Sequence, residues 1–520
     1  MSGMTAIQTD LANIQGNIFG GFNKDHQVFL FLRLADAARG REWLAEVVDD
    51  VATSEEVTEF NELFKLAKRR HRGREGTVKA TWMNLAFTFD GLQTLGVPQT
   101  DLEQFPADFT QGMAARAAGI GDIDGNAPDH WIDPLRDADV HLIVLVAADD
   151  PDDLERKVTE LQDAMDAHGV TLLYRQDGRA RSGVDEDNQD QSGHEHFGFD
   201  DGVSQPGVRD DRVTRPGIDD DTGLPGQDRL WPGEFVLGYP RQALTPNADG
   251  GSKDPGEVAV NGPAWTADGS YLVFRRLRQD VAGFREFVAD QAATEGIPTA
   301  VMGAKIVGRY ATGCPLEIVE GQPDGFDTTA KDPSADEVSL LTPQRINAFD
   351  YASDNPLRDD GDGHRVPRGA HIRKVYPRNQ TPVPGEAEAE RRRILRRGIA
   401  FGASFDAAAA PGDPTAGGAA FPDDRGLLFL CYQRSIEEQF EFLMSAWVNN
   451  PAFPQAGDGH DLVIAQRDAT RSLTIPDAHQ PTITAMQRWV TTTGGGYFFQ
   501  PSILALRHLC APAECTEPAC

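Results

Sequence analysis

The sequence predicts an α+β protein made of two tandem ferredoxin-like units, each of βαββαβ order with an antiparallel sheet. Three observations carry this. Four segments share one plan, a short apolar run of β type, an acidic or polar break, and then a helical pattern. The first and third of them also align in letters, Arg41-Glu-Trp-Leu-Ala beside Arg285-Glu-Phe-Val-Ala. A length of 520 residues exceeds what one compact core supports, so a duplicated unit fits.

Taken in order, the first segment is HQVFLFLRLADAARGREWLAEVV from His26, followed by a strand-like TWMNLAFTF over 81–89. The second, DVHLIVLVAADDPDDLERKVTELQDAM from Asp139, leads to GVTLLYRQ over 169–176. Together these spell βαβ twice, the split unit of a ferredoxin-like domain. The third segment is SYLVFRRLRQDVAGFREFVADQA from Ser270, and the fourth is GLLFLCYQRSIEEQFEFLMSAW from Gly426. YFFQPSI over 497–503 closes the second unit. Hairpin returns suit these spacings as well as crossovers do, which favours antiparallel sheets. A stretch rich in Asp, Gly and Pro from Asp177 to Pro232 reads as the connection, and Asp324 to Gly369 as a second insertion. The expected domains are 1–205 and 206–520.

A formal charge of −32 argues against nucleic acid or an anionic membrane as partner. The longest apolar run, Leu142 to Ala148, is far short of the roughly 20 residues a membrane span needs. The N-terminal stretch has neither a basic n-region nor an apolar h-region, so the expected location is the cytoplasm, with an exported form lacking its leader as the alternative. Five cysteines do not make a disulfide scaffold, and Cys510, Cys515 and Cys520 sit in a tail too widely spaced for zinc. Asp122, Asp124 and Asn126 imitate the start of an EF-hand loop, but Ala127 stands where its glycine belongs.

Four constellations carry candidate chemistry. His194, His196, Asp200 and Asp201 fall inside the connector, where glycines at 198 and 202 predict a sharply turned backbone. On spacing alone this is either a metal site or a solvated acidic loop. His371 opens HIRKVYPR, where a lone histidine is a ligand or a structural residue. Arg396 and Arg397 lie in ILRRGIAFG, where strand alternation sends them to opposite faces; the arginines are either a solvated face pairing with surplus carboxylates, or one of them enters a pocket and stabilises an oxyanion. Leu427 and Phe429 share one face of GLLFLCYQ, by default a packing face.

In this order the motifs resemble those of the dye-decolourising peroxidases, a family of haem enzymes. GFDDG at 198–202 matches the family's GxxDG, HIRKVYPR its proximal-histidine segment and ILRRGIAFG its distal-arginine strand. NIQGNIFGGF and TTTGGGYFFQPS are similar to its end motifs, so the resemblance spans almost the whole chain and is nearest to the longer, insertion-rich subgroup. It implies two ferredoxin-like units with one haem b in the second. It implies His371 as axial iron ligand, Asp201 as distal acid–base and Arg396 as its partner. Leu427 and Phe429 would shape the distal pocket, and Asp461, in GHDLVIAQ, would hydrogen-bond the proximal imidazole. Asp200 beside Asp201 departs from the pattern as a spare carboxylate.

The expected activity is oxidation of bulky aromatic or dye-like reductants by hydrogen peroxide in one-electron steps. Such reductants do not fit a narrow pocket, and the resemblance implies surface oxidation through an aromatic relay, with Trp447 either that relay or simply packed core, and Tyr432 the second candidate. The acidic surface would attract cationic reductants or Mn(II). Two rivals stand beside this: a metal-dependent hydrolase on His194, His196 and Asp200, and a non-catalytic haem carrier or sensor on His371. Cys314 or Cys431 as axial ligand is a minor variant. The oligomeric state is not legible.

Overall fold

In the computed structural model the described residues are 8–70, 78–136, 139–181, 191–209, 226–243, 254–318, 346–356, 359–380, 385–405, 424–476 and 481–511. Cys515 and Cys520 lie outside them.

The first half forms β1 (His26–Arg33), α1 (Ala37–Val47), β2 (Thr81–Phe87), β3 (Leu142–Ala148), α2 (Pro151–His168) and β4 (Thr171–Arg179). The polar breaks seen in the sequence are helix caps. Asp36 accepts from the Arg39 amide and Asp150 from the Asp152 amide, satisfying donors that the first turn leaves free. Gly169 ends α2 with a φ of 66°, a left-handed stop that suits glycine. The strands pair antiparallel in the order β4-β1-β3-β2, the ferredoxin-like order.

The second half repeats this with β5 (Ser270–Gln279), α3 (Val281–Glu295), a one-turn helix α4 (His371–Val375), the broken pair β6 (Leu395–Arg396) and β7 (Ile399–Phe401), β8 (Gly426–Gln433) and β9 (Val490–Gln500). Its order is β9-β5-β8-β6/β7, again 4-1-3-2, and again antiparallel. The helix expected after β8 is wound more widely, as π-helix, over Ile436–Glu441 and Leu443–Val448.

The two sheets join. β9 meets β2 at Phe499 and Phe87. At the opposite edge β7 packs against β4, where a Cβ on Gly178 would lie 2.6 Å from the Ile399 methyl, so only glycine permits the approach. The nine strands described so close into one barrel. Alternation sorts their apolar residues into two cores. Phe29, Phe31, Ile143, Leu145, Phe274, Leu428, Leu430 and Phe498 fill the interior. Val28, Leu30, Leu32, Val144 and Val273 face outward, under a layer that includes Trp43, Leu154 and Phe440. Arg275, Leu277, Leu427 and Phe429 belong to that outward face of the second half, and they line a cavity there.

Candidate active site

The cavity is walled by β5, β8, α4, the π-helical stretch and the GFDDG loop. Its apolar lining includes Leu277, Val375, Leu427, Phe429, Leu443 and Met444. Among the polar groups of the wall, two hydrogen-bonded pairs stand out.

The first pair is His371 and Asp461. His371 is the first residue of α4, which sets its ring in the cavity wall. Its Nδ1 lies 2.7 Å from Asp461 Oδ2, across 90 residues of chain. Asp461 is fully buried, and its other oxygen accepts from the amides of Val463 and Ile464 at 2.8 and 3.1 Å. Burial works against the Asp461 charge, but the imidazole and the two amides outweigh it and hold the carboxyl below its ordinary range. Burial likewise disfavours a charged His371, yet the facing carboxylate leaves its pKa raised. Nδ1 is thereby committed, and Nε2 has no partner among the described residues.

The second pair is Asp201 and Arg396. Arg396 Nη1 donates to Asp201 Oδ1 at 3.0 Å, across 195 residues, and Nη2 donates to the Ser204 carbonyl. The carboxylate also accepts from the Gly202 amide at 2.7 Å. Gly198 and Gly202 have φ of 103° and 76°, the backbone region that the two glycines of the motif make available. Glu195 holds this loop from beneath, accepting the amides of Phe197 and Phe199 and the side-chain amide of Gln279. The two pairs do not touch, but both Arg396 and Asp201 are close enough for their charges to act on His371.

Arg397, as alternation predicts, faces away. Its guanidinium donates to the carbonyls of Asn17, Ile18 and Phe19. Leu427 and Phe429 face the cavity, while Leu428 and Leu430 point into the barrel.

Four sequence expectations are corrected. The hydrolase triad does not assemble: His196 is fully buried and bonds the Phe401 carbonyl at 2.8 Å, outside the cavity lining, and no cluster of three potential metal ligands occurs among the described residues. Trp447 is not at the surface. It is 2% exposed, stacked on Phe453 at 4.9 Å and 5°, because the π-helical stretch turns it inward. Tyr432 is fully buried, with Asn17 donating to its hydroxyl, on the barrel-interior face of β8. Cys314 and Cys431 are buried away from the cavity lining, which removes them as axial ligands. Asp122, which opened the EF-hand imitation, is instead ion-paired to Arg275 at 2.6 Å in the interior.

Sequence reasoning missed Gln205. Its side-chain amide accepts from the Arg396 amide and donates to the Arg396 carbonyl, both at 3.1 Å, clamping the backbone that carries the guanidinium. A glutamine in a loop carries no signal of such a contact. It also missed the cationic Arg309 and Arg378 in the cavity wall.

Comparison with known proteins places the chain in a family. Residues 13–182 match the family model described as the DyP dimeric alpha+beta barrel domain. The chain is 30% identical to the dye-decolorizing peroxidase of Exidia glandulosa, over 97% of this chain and 87% of that protein. The chain belongs to the dye-decolourising peroxidase family. It is also 30% identical to the multifunctional dye peroxidase DyP2 of an Amycolatopsis species, over 96% of each. Among solved structures, a variant of the Pleurotus ostreatus dye-decolorizing peroxidase aligns with a TM-score of 0.77 at 30% identity, over 97% of this chain and all of that one. The dye-decolourising peroxidases are haem-dependent oxidoreductases that use hydrogen peroxide, and this chain shares their α+β barrel.

His196 yields a prediction about acid stability. Burial lowers its pKa from 6.5 to about 4, the Phe401 bond notwithstanding. Between those values the unfolded chain takes up a proton that the folded chain refuses. The contribution of His196 to stability is therefore fully present above pH 6.5 and falls by up to about 3 kcal/mol as pH drops toward 4. Thermal melts from pH 7 to 4 should show this fall reduced in His196→Gln; parallel curves for the two proteins would contradict it.

Trp447→Phe is expected to cost about 1–2 kcal/mol of stability through lost packing against Phe453. It should change oxidation of small phenols and of large dyes in the same proportion. A loss confined to large dyes, with stability intact, would reinstate the relay.

Proposed function

We propose that the protein is a haem b peroxidase, one haem per chain, that oxidises bulky aromatic reductants with hydrogen peroxide by one-electron steps. One observation carries the reading: an imidazole with a free Nε2 and a carboxylate–guanidinium pair occupy the walls of a single apolar cavity. The donor set fits a haem. His371 Nε2 would ligate its iron, the apolar side chains would pack on its faces, and Arg309 and Arg378 would supply positive charge toward its carboxylates.

Haem, when bound, would supply the iron to which peroxide coordinates and the two electrons that peroxide takes, which reductants then restore one at a time. Asp461 keeps His371 Nδ1 as the donor of their hydrogen bond, so Nε2 carries the lone pair for the metal and gains basicity. Asp201 takes the proton from the peroxide oxygen that binds and returns it to the oxygen that leaves; one carboxylate serves as base and then acid. Arg396, held by Asp201, Ser204 and Gln205, offsets negative charge on the leaving oxygen without having to move. Leu427 and Phe429 narrow the cavity so that peroxide enters and a dye does not, which leaves the reductant to give up its electrons from outside.

The visible spectrum of protein produced with ample haem tests this. A Soret band that changes within one equivalent of peroxide, with a dye restoring it, is expected. A colourless protein would overturn the reading, and a band that only bleaches would leave a haem carrier.

A further inference from the structure

Proton accounting raises a question that the two pairs do not answer. Reducing one hydrogen peroxide to two waters consumes two electrons and two protons. Asp201 only moves the peroxide's own proton from one oxygen to the other, which supplies none. A reductant held outside the cavity delivers electrons, while its protons are lost to solvent. Two protons per turnover must therefore travel from solvent to the cavity, through groups that exchange them.

Asp200 is placed for this. It lines the cavity beside Asp201, and its backbone amide is tied to the Ala311 carbonyl, as that of Asp201 is to Gly193. Its carboxylate sits in a slot between two glycines. A Cβ on Gly193 would lie 3.2 Å from one Asp200 oxygen, and a Cβ on Gly313 3.0 Å from the other. Both glycines have positive φ, 83° and 80°, so the slot resists filling by other residues. No side chain or amide among the described residues bonds either oxygen. Beside it stands His194, whose backbone pairs with that of Asp200 in an isolated β-bridge and which is part-exposed to solvent.

We propose that His194 and Asp200 form the proton port of the cavity: the imidazole takes a proton from solvent, Asp200 passes it inward, and Asp201 receives it. Each transfer breaks one N–H or O–H bond and makes another, with no change in oxidation state. The charges facing Asp200 suit the task. Burial raises its pKa to about 6, Asp201 adds to the rise, and His194 and Arg309 oppose it. A carboxyl that titrates near 6 both gains and gives a proton readily in mildly acidic solution.

This inference rests on the peroxidase reading, and the experiment separates the two. The haem-loaded full chain, wild type, Asp200→Asn and His194→Gln, is followed for dye turnover and for its spectral reaction with peroxide. Asn keeps the shape of Asp but carries no titrating proton. Asp200→Asn is expected to lower kcat about tenfold, by more than it lowers the second-order rate constant with peroxide. It should also remove a step near pH 6 from the kcat profile and raise the solvent deuterium isotope effect. Small weak acids such as acetic acid should restore part of the loss, and His194→Gln should show a milder form of it. An unchanged kcat and pH profile in Asp200→Asn would overturn the port. So would a loss of the peroxide step as deep as that of Asp201→Asn, which would make Asp200 the acid–base itself. A wild-type protein inert to peroxide would instead sink the reading on which the port rests.

Discussion

Asp201→Asn is expected to slow the reaction with peroxide by about 10²- to 10⁴-fold, the usual worth of a positioned general acid–base. The change is nearly isosteric, so the loss isolates proton transfer. Asparagine can still accept from Arg396, whose guanidinium is also anchored on the Ser204 carbonyl and through Gln205, so the arginine should stay in place. What disappears is the ability to take a proton and give it back. Stopped-flow spectra of haem-loaded protein give the rate constant directly, and haem content from the resting spectrum controls for misfolding. A rate within threefold of wild type would remove Asp201 from the role. Arg396→Leu is a useful companion: it should leave proton transfer intact but strip the charge that meets the leaving oxygen.

His371→Ala is expected to abolish most haem retention, leaving below about a tenth of the wild-type Soret absorbance. The described residues offer no replacement: His194 and His196 lie elsewhere, and the buried cysteines do not line the cavity. The substitution also leaves Asp461 as a buried carboxylate without its imidazole, held only by the Val463 and Ile464 amides. Losing the partner of a buried charge costs on the order of 3–5 kcal/mol, so stability should fall as well. His371→Ala together with Asp461→Asn separates the two effects. The pair should recover stability and still not bind haem. Full haem retention with an unaltered spectrum in His371→Ala would remove it as the ligand.

The local signals in the chain were strong. Short apolar runs of β type marked β1, β3, β5 and β8, and the acidic breaks after three of the strands turned out to be the N-caps Asp36, Asp150 and Asp280. Opposite placement of Arg396 and Arg397 followed from strand geometry alone. Where reasoning from the residues ended, the reason was range. Nothing within ten residues of Gln205 announces that it clamps Arg396, nor does the Trp447 segment reveal that its helix winds with the wider π turn and buries the indole.

Sequence by itself therefore determined the duplicated α+β architecture, the motif order that points to the family, and the side chains available for chemistry. Those depend on periodicity, caps and turns, interactions that close within a few residues. Only the tertiary structure decided the barrel closure at Phe87–Phe499, the meeting of His371 with Asp461 across 90 residues and of Asp201 with Arg396 across 195, and the glycine slot around Asp200. Such contacts exist only after segments distant in the chain pack, because the hydrophobic cores that hold them draw strands from both ends of the chain.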